Sequence, residues 1–76
     1  MKHVIEVFDK QTEELLLSVE VPNSRQEELT KLMGWQNPED EFDGYDLSPE
    51  QVETLEGWTG KILRGMDHIV QLVCIE

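Results

Sequence analysis

Three stretches of the chain have apolar residues in patterns typical of β-strands. Residues 2–9 (KHVIEVFD) and 67–75 (DHIVQLVCI) are apolar on both faces, and residues 14–21 (ELLLSVEV) alternate as a half-buried strand does. Residues 10–12 are polar and have the length of a hairpin connection, and Pro22 ends the second strand. We therefore expect a hairpin whose first strand also pairs with the last one, inside a single sheet.

The region after Pro22 carries the signals of a first helix. Ser24 is followed three residues later by Glu27, the spacing of a capping box. Gly34 stands where a left-handed residue would end the helix, and Trp35 can fold back on its last turn. The pattern predicts a helix of about ten residues, with an apolar stripe formed by Leu29, Leu32 and Met33.

A second helix is predicted to begin at Ser48. Pro49 suits its first position, and Gln51 completes a second capping box. Gly57 and Gly60 each weaken a helix by about 1 kcal/mol relative to Ala, so the helix should end or bend there. Its expected apolar face contains Val52, Leu55, Thr59, Ile62 and Leu63.

The order β-β-α-α-β predicts an α+β fold. Seventy-six residues suffice for one small domain, spanning 1–76. We expect a three-stranded antiparallel sheet with both helices packed on one face. Leu17 and Val73 should be core residues whose truncation to Ala costs about 2 to 4 kcal/mol. Trp35 and Trp58 are also expected in the core, with a role in an interface as the alternative.

The charges are distributed very unevenly along the chain. The net charge is −11, and residues 32–60 contain eight carboxylates and no Lys or Arg. Self-repulsion of this kind opposes compaction, and its sign indicates a cationic partner rather than nucleic-acid phosphate. We predict a partner-binding surface made by these acids and by Tyr45, which lies among them: Glu39, Asp40, Glu41, Asp43, Tyr45, Asp46, Glu50, Glu53 and Glu56.

Part of this acidic segment has an alternative interpretation as a calcium loop. With Gly44 as the sixth residue, Glu39, Glu41, Asp43 and Glu50 copy the spacing of an EF-hand. The first ligand should, however, be Asp, and a proline occupies the eleventh position. We favour a solvated acidic loop and expect no metal and no cofactor.

Catalytic groupings find little support in the sequence. His68 and Cys74 would lie on one strand roughly 20 Å apart, too far for direct proton transfer. His3 and His68 become neighbours if their strands pair, but two histidines do not make a metal site. We therefore do not expect an enzyme. Short apolar runs, no signal-like start and a single cysteine favour a cytoplasmic protein.

Three segments resemble a known group of proteins. They are Phe8-Asp9-Lys10-x-Thr12-x-Glu14-Leu15, Leu29-x-x-Leu32-Met33-Gly34-Trp35 and Tyr45-x-Leu47-x-Pro49-Glu50-Gln51. Together the chain resembles small bacterial domains encoded beside toxins, and immunity proteins of contact-dependent growth inhibition or related polymorphic toxin systems. The resemblance implies a cytoplasmic antidote that binds the toxic domain of a sister-cell effector. Such toxins are often basic nucleases.

The resulting hypothesis is an immunity protein that binds a cognate basic toxin domain and blocks its substrate-binding surface. It implies no direct contact with nucleic acid or membrane. The alternative is an acidic regulator or DNA mimic that inhibits a DNA-binding protein. The sequence leaves the oligomeric state open.

Overall fold

The computed structural model describes residues 2–75 of the chain. Two long strands begin the fold and a third long strand ends it, with two helices and a very short strand between them. In chain order the elements are β1 (Lys2–Asp9), β2 (Leu15–Glu20), α1 (Gln26–Met33), β3 (Tyr45–Asp46), α2 (Pro49–Thr59) and β4 (His68–Ile75). The predicted α+β class is confirmed.

The strands form one antiparallel sheet in the order β2-β1-β4-β3. As predicted, the first strand pairs with both the second and the last, and its pairing with β4 runs from Lys2 opposite Ile75 to Asp9 opposite His68. The sheet nevertheless has four strands and not the expected three. The additional strand β3 has only two residues, too few to show an alternating pattern in the sequence.

The core lies between one face of this sheet and the two helices. Ile5 and Val7 of β1 and Leu72 of β4 pack in one cluster with Leu29 of α1 and Leu55 of α2. The strand members of the cluster are alternate residues, so they share a face. Both helices therefore pack on the same side of the sheet.

The expected core roles of Leu17 and Val73 were wrong. Leu17 is 37% exposed because β2 is an edge strand, and Leu15 and Leu16 beside it are exposed as well. Val73 is half-buried and, by strand alternation, points to the sheet face opposite the helices. The two tryptophans do pack against the core, each half-buried.

The ends of α2 follow the predicted signals. The Ser48 hydroxyl accepts a hydrogen bond from the N–H of Gln51 (3.2 Å), and the Gln51 side chain accepts one from the N–H of Ser48 (2.9 Å). The helix ends at Thr59, before Gly60 with a φ of 72°. Leu63 was expected on the apolar face of the helix, but it lies in the connection after the helix and is buried there. Ile62 lies in the same connection and is 79% exposed, so it does not face the core.

Helix α1 ends as predicted but begins differently. Gly34 adopts a left-handed φ of 71°, and the N–H of Trp35 donates to the carbonyl of Thr30 (3.1 Å). Ser24 does not cap the helix: it lies within a 3-10 turn, Asn23–Arg25, and α1 begins only at Gln26. The prediction of a Ser24–Glu27 capping box was therefore wrong.

The helices are short, with 8 and 11 residues. Among residues 2–75, no helix has the length and apolar character that crossing a bilayer requires.

Candidate functional site

The acidic segment folds around its own hydrogen bonds. Pro38–Phe42 is a 3-10 helix whose start is closed by the Asp40 carboxylate, which accepts from the N–H groups of Gln36 and Asn37 (3.2 Å each). The Tyr45 hydroxyl then donates to the carbonyl of Asp40 (2.6 Å). Asp40 therefore holds the segment together and has less freedom to meet a partner than its neighbours.

Three aromatic rings connect this segment to the sheet. The ring centres of His3 and Trp35 lie 5.4 Å apart, and those of Trp35 and Tyr45 lie 5.8 Å apart. Burial, together with the nearby carboxylates of Asp43 and Asp40, raises the pKa of Tyr45, and the Trp35 indole acts in the opposite direction. Tyr45 is half-buried. Its hydroxyl donates to the Asp40 carbonyl and its ring packs near that of Trp35, so Tyr45 attaches the acidic segment to the core.

Glu56 differs from the other predicted partner-binding acids because it is buried. One oxygen, Oε2, accepts from the backbone N–H groups of Leu63 (2.8 Å) and Arg64 (3.0 Å), while Oε1 meets the Arg64 guanidinium at 2.6 Å. The hydrogen bonds from Arg64 and Leu63 lower the pKa of Glu56 to about 2. Glu56 was predicted to belong to the partner-binding surface, but its carboxylate instead accepts N–H groups of the connection between α2 and β4.

Five of the remaining acids are exposed, and we call them together the acidic surface. Its members are exposed side chains from the 3-10 helix, from β3 and its approach, and from the outer side of α2: Glu39, Asp43, Asp46, Glu50 and Glu53. Asp46 accepts a hydrogen bond from the Gln71 side chain (2.8 Å). Glu41 is half-buried beside this surface.

Both arginines of the chain form ion pairs with carboxylates outside the acidic surface, although the pKa of Arg64 is raised by its hydrogen bond to Glu56 and also by the charge of Glu53. Arg25 pairs with Glu28 (2.7 Å) and lies over the ring of Trp58, 5.4 Å from its centre. Arg64 pairs with Glu56. Since residues 32–60 hold no base, the acidic surface has no cation from its own segment to neutralise it.

The two histidines lie at opposite ends of the β1–β4 pair. His3 lies opposite Cys74, and His68 lies opposite Asp9, at the other end of the β1–β4 pair. The expectation that paired strands would make the two histidines neighbours was wrong, because antiparallel pairing sends them to opposite ends. Within the described residues, no three His, Cys, Asp or Glu side chains form a group that could hold a metal ion.

Residues 2–72 match a family described as a domain of unknown function (DUF7683). The chain belongs to this family. No curated protein and no solved structure matches it. The matched range contains all the acids of residues 32–60, so the acidic surface is part of the DUF7683 domain itself.

Sequence reasoning missed one residue of this site in the DUF7683 domain. His3 is only 4% exposed and lies against Trp35, where it joins β1 to the acidic segment. A signal was available: strand alternation places His3 on the same face as Ile5 and Val7. That face was predicted to be apolar, so the burial of His3 could have been expected.

Proposed function

We propose that this DUF7683 domain is an immunity protein that binds a basic toxin domain and neutralises it by covering its substrate-binding surface. The observation that carries the proposal is the acidic surface, five exposed carboxylates in a 29-residue stretch without a single base. A nuclease is the expected class of toxin, because a phosphate-binding surface is basic.

A cationic protein is the partner that such a surface favours. Exposed carboxylates steer an oppositely charged surface during diffusion and raise the association rate, most strongly at low ionic strength. Rapid association suits an antidote, which must reach its toxin before the toxin reaches its substrate. Arg25 is paired with Glu28, whereas Arg64 is paired with Glu56 and also feels the charge of Glu53, and both of these carboxylates raise the pKa of Arg64.

The choice of a toxin among cationic proteins rests on the resemblance of three segments to immunity proteins of polymorphic toxin systems. Inhibition by occlusion requires no catalytic group on the inhibitor. It requires only that carboxylates occupy the positions where substrate phosphates would bind. The cytoplasm, where such a toxin would act, is the compartment that the proposal implies.

Protection of cells tests the proposal directly. A toxin domain encoded beside the gene for this chain would be expressed with the wild-type domain or with a charge-reduced variant. That variant, which we call the surface variant, combines Glu39→Gln, Asp43→Asn, Glu50→Gln and Glu53→Gln. A matched control removes four exposed acids elsewhere, at Glu14, Glu20, Glu27 and Asp67.

We expect the wild type and the matched control to restore growth, and the surface variant to bind the toxin at least about tenfold more weakly. Equal protection by both variants would show that the acidic surface is not the binding surface. The alternative, an acidic inhibitor of a DNA-binding protein, predicts no protection and the release of such a protein from DNA.

A further inference from the structure

A depression lies where the first strand, the turn before α1 and the acidic segment meet. It has a volume of about 370 Å³ and is lined by His3, Asn23, Gln26 and Glu41. Glu41 also lines a neighbouring depression of about 330 Å³, whose wall includes Trp35. Glu41 thus lines both hollows, which together we call the Glu41 pocket.

Several polar side chains of the Glu41 pocket lack partners within residues 2–75, among them the buried indole N–H of Trp35. His3 is more than nine-tenths buried, and its Nε2 atom has no hydrogen bond to any of residues 2–75. Glu41 is half-buried and makes neither a hydrogen bond nor an ion pair within the same residues. A buried polar atom without a partner is destabilising, so such atoms usually have a ligand or an ordered water.

We propose that the Glu41 pocket binds the guanidinium group of an arginine side chain presented by a protein partner. The planar guanidinium group presents a fork of N–H donors, and this fork fits the two oxygens of a carboxylate such as that of Glu41. The side-chain oxygens of Asn23 and Gln26, which line the same hollow, accept further N–H groups. The proposal rests on the proposed function in taking the partner to be a basic protein.

The pocket's chemistry favours this ligand over two others. An anionic group would meet the uncompensated carboxylate of Glu41 and the negative acidic surface beside it. A lysine ammonium would satisfy Glu41, but it is a compact charge that neither matches the carboxylate fork nor stacks on an aromatic ring as a guanidinium does. The Trp35 indole ring, at the edge of the second hollow, offers such a stacking surface.

The test is an NMR titration of the ¹⁵N-labelled domain with N-acetyl-L-arginine amide. N-acetyl-L-citrulline amide, which has the same shape without the charge, serves as the control ligand. Binding is followed at the His3 and Trp35 ring signals, with Trp58 as an internal control outside the pocket. The variants are Glu41→Gln and, as a matched carboxylate on α2, Glu53→Gln.

We expect the arginine probe to shift the His3 and Trp35 signals, and the citrulline probe to bind at least about tenfold more weakly. Glu41→Gln should weaken binding by a similar factor, while Glu53→Gln should change it less than twofold. The spectrum of each variant also shows whether it is folded. If the two variants weaken arginine binding equally, or if the signal shifts are spread evenly over the exposed acids, the proposal that the Glu41 pocket binds arginine is wrong.

These results separate the pocket from the proposed function. Arginine binding at the Glu41 pocket without protection against a toxin would support the proposed arginine site and refute the immunity role. Protection that survives Glu41→Gln, together with no site-specific arginine binding, would refute the pocket and leave the immunity role standing.

Discussion

Glu53 and Glu56 lie three residues apart on α2, and their surroundings give them different roles. Glu53 is exposed and belongs to the acidic surface. Glu56 is buried and receives N–H groups from Leu63 and Arg64. At the scale of the residue, burial and hydrogen bonds decide what a carboxylate does, because the two side chains are chemically identical.

The pH dependence of stability follows from the pKa of Glu56. Because the folded pKa is about 2, below its ordinary value of 4.5, the ionised group stabilises the fold fully above about pH 4.5. That contribution is lost as the pH falls from 4.5 towards 2. Glu56→Gln should therefore lower the Tm at pH 7, and the difference from wild type should shrink across this window. Thermal melts from pH 7 to pH 2 measure it.

The control for this prediction is Glu53→Gln, which removes an exposed carboxylate from the same helix. Its Tm should stay close to that of the wild type, or rise slightly as repulsion is relieved. A Tm for Glu56→Gln that equals that of Glu53→Gln at pH 7 would contradict the structural role of Glu56.

Burial also sets the cost of truncating the leucines of the sheet. Leu72, on the central strand β4, is 1% exposed, whereas Leu17, on the edge strand β2, is 37% exposed. Leu72→Ala should cost about 2 to 5 kcal/mol by leaving a cavity, and Leu17→Ala about 1 kcal/mol or less. Urea denaturation of the two variants checks the ranking, and an equal loss of stability would contradict the placement of β2 at the edge.

At the scale of the element, two similar serine motifs have different outcomes. Ser48 and Gln51 close the start of α2 with reciprocal hydrogen bonds. Ser24, with Glu27 at the same type of spacing, lies inside a 3-10 turn and makes no cap. The chain leaves the sheet through Pro22 and forms this turn first, which moves the start of α1 to Gln26.

This difference predicts unequal effects of one substitution. Ser48→Ala should destabilise the domain by about 1 kcal/mol, because it leaves a helix N–H without its partner. Ser24→Ala should change stability by no more than about 0.5 kcal/mol. Chemical denaturation of both variants measures the contrast. A loss at Ser24 as large as that at Ser48 would show that the sequence motif caps α1 in solution.

The elements that the sequence could predict are those with strong local patterns. Strands β1 and β4 have dense β-branched runs, and Gly34 and Gly60 mark helix ends through left-handed backbone. Strand β3 could not be predicted, because its two residues are extended only through pairing with Leu72 and Gln71 of β4. The edge position of β2 depends on which strands the helices cover, which is a property of tertiary packing.

The candidate site was predictable in its charge but not in its shape. The exposed members of the acidic surface were all identified from the sequence. The internal roles of Asp40 and Glu56 were not, because each depends on N–H groups that the fold directs at its carboxylate. The Glu41 pocket joins residues 3, 23, 26 and 41, which come together only in the folded chain.

At the scale of the whole molecule, a net charge of −11 on 76 residues makes electrostatics central to this account. Repulsion among the exposed acids opposes folding, and association with a cationic surface relieves it. Complex formation should therefore depend strongly on ionic strength, with most of the effect on the association rate, since screening acts on charges before they are in contact.

The most direct test is the association rate constant for the domain and the toxin domain proposed as its partner, measured by stopped flow. Between about 20 mM and 200 mM salt, we expect the wild-type rate constant to fall at least about tenfold, with a much smaller change in the dissociation rate. The surface variant should associate more slowly at low salt and depend less on salt. A wild-type association rate that does not change with salt would contradict the central role of the acidic surface.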